Sequence, residues 1–128
     1  MEICVPISVG ELVDKITILK IKKSRILDST KSENISLELA KLLDVCVLHS
    51  IDTNQQEVEA LYLVNEQLWE IEDKIREKED IKVFDQEFIE LARSVYLCND
   101  RRFELKRALN EKYHSKIIEE KSYKKYQI

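Results

Sequence analysis

The side chains in this chain that could do chemistry are polar residues at positions where the helical pattern calls for apolar ones. Asn65 and Glu72 stand a heptad apart in an arc otherwise built from Val58, Leu61, Tyr62, Val64, Leu68, Trp69, Ile71 and Ile75. Asn99, Arg102 and Lys106 interrupt a second arc formed by Phe88, Leu91, Ala92, Val95, Tyr96, Phe103 and Leu109. Lys20 and Lys23 fall on the apolar face of an N-terminal segment. An isolated charge is costly to bury, so where such faces meet these groups must pair, reach water or hold a ligand. Four cations against the single acid Glu72 leave a positive surplus. A cleft of that character suits a small anion such as a phosphate, a carboxylate or a sugar nucleotide, with Arg102 as a bidentate fork and the lysines as point charges. The alternative is structural: the lysines extend outward, and Glu72 and Arg102 form one interhelical pair that fixes register.

A second constellation is acidic. Glu59, Glu66, Glu70, Asp73 and Glu77 fall within about 60° of one another on a helical wheel. The i, i+4, i+7 spacing of Glu66, Glu70 and Asp73 resembles the acidic helix of the all-α nucleoside-triphosphate pyrophosphohydrolases, in which carboxylates hold magnesium and substrate phosphates. That family needs a second acidic motif on the next helix. Here Glu87 and Glu90 lie off the inner face, and Lys74 and Lys78 flank the stripe, so a solvated acidic face is the better reading. Arg101 and Arg102, in the string NDRRFELKR, form either a phosphate clamp or local ion pairs with Asp14 or Glu104. Trp69, beside Leu68 and Ile71, reads as a core anchor. His49 and His114 stand alone, and Cys4, Cys46 and Cys98 have no paired spacing. No metal site, disulfide framework or nucleophilic triad follows, no cofactor is expected, and the thiols read as small buried hydrophobes of a cytoplasmic protein.

The elements that must position these residues are helices. Ser8 and Glu11 form a capping box, flanked by Ile7 and Leu12 as a hydrophobic staple, so a helix starts at Ser8 and runs to about Leu27. Val9, Leu12, Val13, Ile16, Leu19, Ile26 and Leu27 share one of its faces, while Ile18 and Ile21 lie opposite. Either this helix is sandwiched within the fold or its second face meets another chain. Upstream, Ile3, Val5 and Ile7 alternate around Pro6 and predict an extended strap over residues 2–7, lying on apolar surface. Residues 28–34 read as a polar break, followed by a helix over 35–49, a link over 50–56, a third helix over 57–79 and a fourth from an Asp85 cap to about Tyr113. Residues 115–128 form a basic, tyrosine-bearing tail. Short links between long helices predict a single all-α domain over 1–128, an antiparallel bundle of about four main helices.

Composition agrees. One glycine and one proline in 128 residues exclude P-loops, dinucleotide fingerprints and glycine-lined nucleophile elbows. At 44% hydrophobic and 36% charged the chain can fill a core and solvate its surface. The net charge of −4 is polarised: −1 over residues 1–56, −8 over 57–90 and +5 over 91–128. Attraction between helices of one bundle explains this more simply than a nucleic-acid partner, whose usual footprint is a basic excess over the whole domain. No secretory h-region or spanning apolar run is present, so no membrane is expected.

Four strings, ISVGELVDKITILKIK at 7–22, VNEQLWEIEDKIR at 64–76, FIELARSVYLCNDRRFELKR at 88–107 and EEKSYKKY at 119–126, resemble a family of small bacterial and phage proteins known as a domain of unknown function, some encoded near surface-polysaccharide genes. The resemblance implies that Asp14, Lys15, Thr17, Asn65, Trp69, Glu72, Arg93, Tyr96, Asn99, Asp100, Arg101 and Arg102 belong to the defining strings. It also implies that Glu119 to Tyr123 dock back on the bundle. The expectation is a non-enzymatic binding or scaffold protein, homo-oligomeric, acting as an accessory factor through a second apolar face and a polar cleft. The alternative is an enzyme or sensor holding an anionic metabolite at Lys20, Asn65, Glu72, Asn99, Arg102 and Lys106, or a magnesium-dependent pyrophosphohydrolase-like protein.

Overall fold

The computed structural model describes residues 1–122 and is all-α, with four helices in an antiparallel bundle: α1 (Val9–Arg25), α2 (Ser29–Leu48), α3 (Gln56–Asp80) and α4 (Gln86–Lys112). Helix α1 is the hub. It packs against α2, α3 and α4, α3 pairs with α4 as a long hairpin, and among the helices α2 meets α1 alone. The sandwich therefore resolves the two-sided pattern of α1 within one chain. Leu12, Val13, Ile16 and Leu19 join Ile35, Leu39 and Cys46 of α2, Val58, Leu61 and Val64 of α3, and Leu105 and Leu109 of α4 in one core. Fully burying a side chain such as Ile16, Leu61 or Leu109 contributes about 1.5–3 kcal/mol.

The helix starts follow the caps. Ser8 Oγ accepts from Glu11 N at 3.1 Å, and Asp85 Oδ1 accepts from Phe88 N at 3.0 Å. Asp28 Oδ2 accepts from Lys31 N at 2.9 Å and starts α2 at Ser29, so the polar run 28–34 is the first part of a helix and not a break. Its serines and threonine favour caps but tolerate an exposed first turn. Residues 1–7 form no helix, and Glu2 pairs with Lys41 of α2. The expected strap leaves its apolar side chains largely outside: Ile3 and Val5 are exposed, and Ile7, also exposed, lies at the edge of a cavity lined by Val9, Leu12, Val45 and Ile51. Cys46 is buried and Cys98 partly so, but Cys4 is exposed, against its reading as a core residue.

Gly10 sets the α1–α4 crossing. A Cβ there would collide with the carbonyl oxygen of Lys106 and come within 3.0 Å of Asn110 Oδ1. The close approach lets α4 and the turn after it satisfy the open N-terminus of α1: Gly10 N donates to Asn110 Oδ1 at 2.6 Å and Val9 N to Ser115 Oγ at 3.2 Å.

Candidate functional site

The α1 face bearing Ile18 and Ile21 also carries Asp14 and Thr17, at the i, i+3, i+4, i+7 positions of one stripe. Asp14 and Thr17 meet α3 and α4. Asp14 is 1% exposed, and its carboxylate accepts from Arg102 Nε at 2.8 Å and from Arg102 Nη2 at 2.5 Å, a bidentate pair. Asn65 Nδ2 donates to Asp14 Oδ1 and to Thr17 Oγ1, both at 2.9 Å, and Thr17 Oγ1 donates to the Asp14 carbonyl at 2.8 Å. One buried carboxylate of α1 thus gathers groups from α3 and α4. The hydrogen bond and charge of Asp14 hold the Arg102 guanidinium above its ordinary pKa, outweighing burial.

Arg102 is the wall between two cavities. On one side a cleft of about 390 Å³ is lined by Ile18, Asn65, Leu68, Trp69, Glu72, Arg76, Asn99 and Arg102. On the other a polar cavity of about 220 Å³ is lined by Glu11, Asn99, Arg102, Phe103, Lys106, Glu119 and Lys121. Asn99 Oδ1 accepts from Arg102 Nη1 at 3.4 Å, a long bond on the side the two cavities share. Lys106 is buried, and its Nζ donates to Glu11 Oε2 at 2.7 Å and lies 3.3 Å from Glu119 Oε1. Burial alone would lower the Lys106 pKa. The hydrogen bond to Glu11 and the charges of Asp14, Glu11 and Glu119 more than reverse that and leave it above the usual lysine value.

The structure places five of the six expected site residues around Arg102: Asn65, Glu72 and Asn99 on the cleft, Lys106 in the adjoining cavity and Arg102 between them. Lys20 is not among them. It lines a separate cavity with Thr17, Gln55 and Tyr62, because its Cα lies beyond the Asp14 layer along α1. The positive surplus is also corrected: Asp14 offsets Arg102, and Glu11 and Glu119 offset Lys106. The partner of Arg102 is Asp14 and not Glu72, and Arg101 meets Glu104 at 3.7 Å. Glu11, expected to close a capping box, has its carboxylate on Lys106. Trp69 is half-buried on the cleft wall, outside the core, so its reading as a core anchor does not hold.

On the acidic face of α3, Glu66 and Glu70 take up Arg25 at 3.5 and 3.2 Å. Among the described residues no group of three or more His, Cys, Asp or Glu side chains is arranged to hold a metal ion, and no helix is long and apolar enough to cross a membrane. After α4, the chain folds back: Glu119 meets Lys106, Glu120 lies 3.8 Å from Arg107, and Lys121 Nζ stands 5.9 Å from the Phe103 ring centroid. This matches the expected docking of the tail as far as Lys121; Tyr123 lies outside the described residues.

Fold and site together define a small helical-bundle protein with a buried acid–arginine anchor and a polar interhelical cleft. The chain belongs to the family of unknown function DUF6165, whose model matches residues 3–127. No curated protein and no solved structure matches the chain.

Proposed function

We propose that this chain is a binding protein, not an enzyme, and that it takes a small phosphorylated metabolite of the sugar-phosphate or sugar-nucleotide class in the cleft walled by Trp69 and Arg102. The observation that carries this is the bidentate Asp14–Arg102 pair. It holds the guanidinium in one orientation, so a ligand meets a fork whose ordering cost is already met. The cleft volume of about 390 Å³ falls in the range of small-molecule sites. Trp69, Leu68 and Ile18 supply apolar wall, Arg76 a second cation, and Asn99 and Glu72 acceptors suited to hydroxyl groups. Because Asp14 cancels most of the Arg102 charge, recognition rests on directed hydrogen bonds more than on a positive field. Binding is favoured over catalysis because three of the neighbouring acids are committed, Asp14 to Arg102 and Asn65, and Glu11 and Glu119 to Lys106, while the fourth, Glu72, is exposed to solvent.

The test is a thermal-shift panel of inorganic phosphate, sugar phosphates, nucleotides and sugar nucleotides. A ligand at about a hundred times its Kd stabilises the fold by about 2.7 kcal/mol, a shift of several degrees. The shift is expected to vanish in Arg102→Lys, which keeps a cation on Asp14 but loses the fork, and to survive in Arg107→Ala. A panel without any shift, or equal shifts in wild type and Arg102→Lys, contradicts the proposal. Metal-dependent hydrolysis of nucleoside triphosphates lost in Glu70→Ala would replace it with the pyrophosphohydrolase reading. Self-association belongs to the proposal through a different surface from the one expected. The second face of α1 is covered, whereas Ile81, Phe84 and Ile89 at the α3–α4 tip are exposed. Light scattering giving one chain per particle at every concentration would remove it.

A further inference from the structure

The cavity on the far side of Arg102 sets Glu11 and Glu119 against Arg102, Lys106 and Lys121, and its second acid comes from outside the four helices. Helices α1 and α4 alone pair Arg102 with Asp14 and Lys106 with Glu11, the latter at 2.7 Å. Glu119 is a third carboxylate, delivered by the segment after α4. His114, at φ 52°, reverses the chain, and Ser115 anchors the turn through Ser115 N to the Asn110 carbonyl at 2.8 Å and Val9 N to Ser115 Oγ at 3.2 Å. The fit of Glu119 is loose. Its oxygens lie 3.3 and 3.4 Å from Lys106 Nζ, against 2.7 Å for Glu11, and Oε1 is shut off from solvent without a hydrogen-bond partner among the described residues. A carboxylate that fits loosely over a lysine side chain only 8% exposed, with one oxygen closed off from solvent, marks a receptor for an anion.

We propose that the cavity of Lys106, Arg102, Asn99 and Phe103 is a second anion site, for a phosphate or carboxylate group, and that Glu119 of this same chain is its resident occupant, so that residues 116–122 form a displaceable cover. This extends the reading of Arg102 as an anion-recognising group. A tethered carboxylate competes at an effective concentration of order millimolar, so a free anion must fit better than Glu119 to take its place. Phosphate can do so, because its oxygens can accept from Lys106 Nζ and from the Arg102 protons not used on Asp14. Its arrival releases Glu119, leaving contacts such as those of Glu120 with the exposed Arg107 and of Lys121 with the Phe103 ring to hold the cover.

The experiment uses the full chain, with inorganic phosphate as probe and sodium chloride of equal ionic strength as control. Glu119→Gln keeps the shape of the side chain and removes its charge; Glu120→Gln is the neighbouring control. Calorimetry is expected to show phosphate binding at least tenfold tighter in Glu119→Gln than in wild type or Glu120→Gln. Hydrogen exchange over 116–122 is expected to rise in wild type on adding phosphate, and to be raised without phosphate in Glu119→Gln. Equal phosphate affinity in all three proteins, no phosphate binding at all, or exchange over 116–122 indifferent to both phosphate and the substitution overturns the inference. Each of those results leaves the Trp69 cleft standing, because its own test is the response to sugar nucleotides and its dependence on Arg102.

Discussion

Replacing Asp14 by Asn changes one atom at the centre of the three-helix junction. The carboxylate accepts three hydrogen bonds, two from Arg102 at 2.8 and 2.5 Å and one from Asn65 at 2.9 Å. An amide keeps one acceptor and turns a donor toward a donor. Removing one partner of a buried ion pair costs about 3–5 kcal/mol. The Arg102 side chain retains 28% exposure and can recover part of its hydration, which reduces the expected cost to roughly 2–4 kcal/mol. With a urea slope of about 1–3 kcal/mol/M, the unfolding midpoint should fall by about 1–2 M. Adding Arg102→Met removes the orphaned charge, so the double variant should be more stable than the sum of the single effects by at least about 1 kcal/mol. A loss below about 1 kcal/mol in Asp14→Asn, or strict additivity in the double variant, would refute the claim that Asp14 holds Arg102 in place.

Two further outcomes follow from the packing. Gly10→Ala puts a methyl group into the Lys106 carbonyl and should cost about 1–3 kcal/mol in denaturant unfolding, although alanine is the better helix former; a stabilised variant would show that α1 and α4 are not in close contact there. The raised Lys106 pKa means that the folded chain holds this proton more tightly than the unfolded chain. Its contribution is therefore complete below the unfolded lysine value of about 10.4 and is lost as pH rises through the folded value. The alkaline fall in melting temperature should be shallower in Lys106→Met, and an unchanged alkaline limb would contradict the assignment.

Much of the fold could be read from the chain, because four apolar stripes at helical period and the Ser8 and Asp85 caps are local signals. Helix α2 began six residues earlier than expected because Ser29 to Asn34 carry no apolar periodicity, and only the cap at Asp28 shows that the backbone is already helical. The site was half legible. Asn65, Glu72, Asn99, Arg102 and Lys106 stood out as polar residues inside apolar arcs, and that anomaly marks residues whose partners come from other helices. Those partners were only partly visible. Asp14 and Glu104 were offered as partners of Arg101 and Arg102, and both pairs form, but the burial of Asp14 depends on which face of α1 meets α3 and α4. Glu119 sits beyond the last helix, where spacing fixes no direction. Glu11 offered a sufficient local explanation as a cap, and only the α1–α4 crossing at Gly10 brings it to Lys106. The charge surplus failed for the same reason: it summed the interrupted arcs without the acids that other segments bring to them.

Trp69 is the only tryptophan of the chain and stands on the cleft wall with Arg102, so its fluorescence reports directly on whether that cleft holds a ligand. Titration with a uridine diphosphate sugar should change its emission saturably, with the change abolished in Arg102→Lys and kept in Arg107→Ala. Emission that stays flat through the titration, or that responds equally in the Arg102→Lys protein, would contradict a cleft built around the Asp14–Arg102 pair.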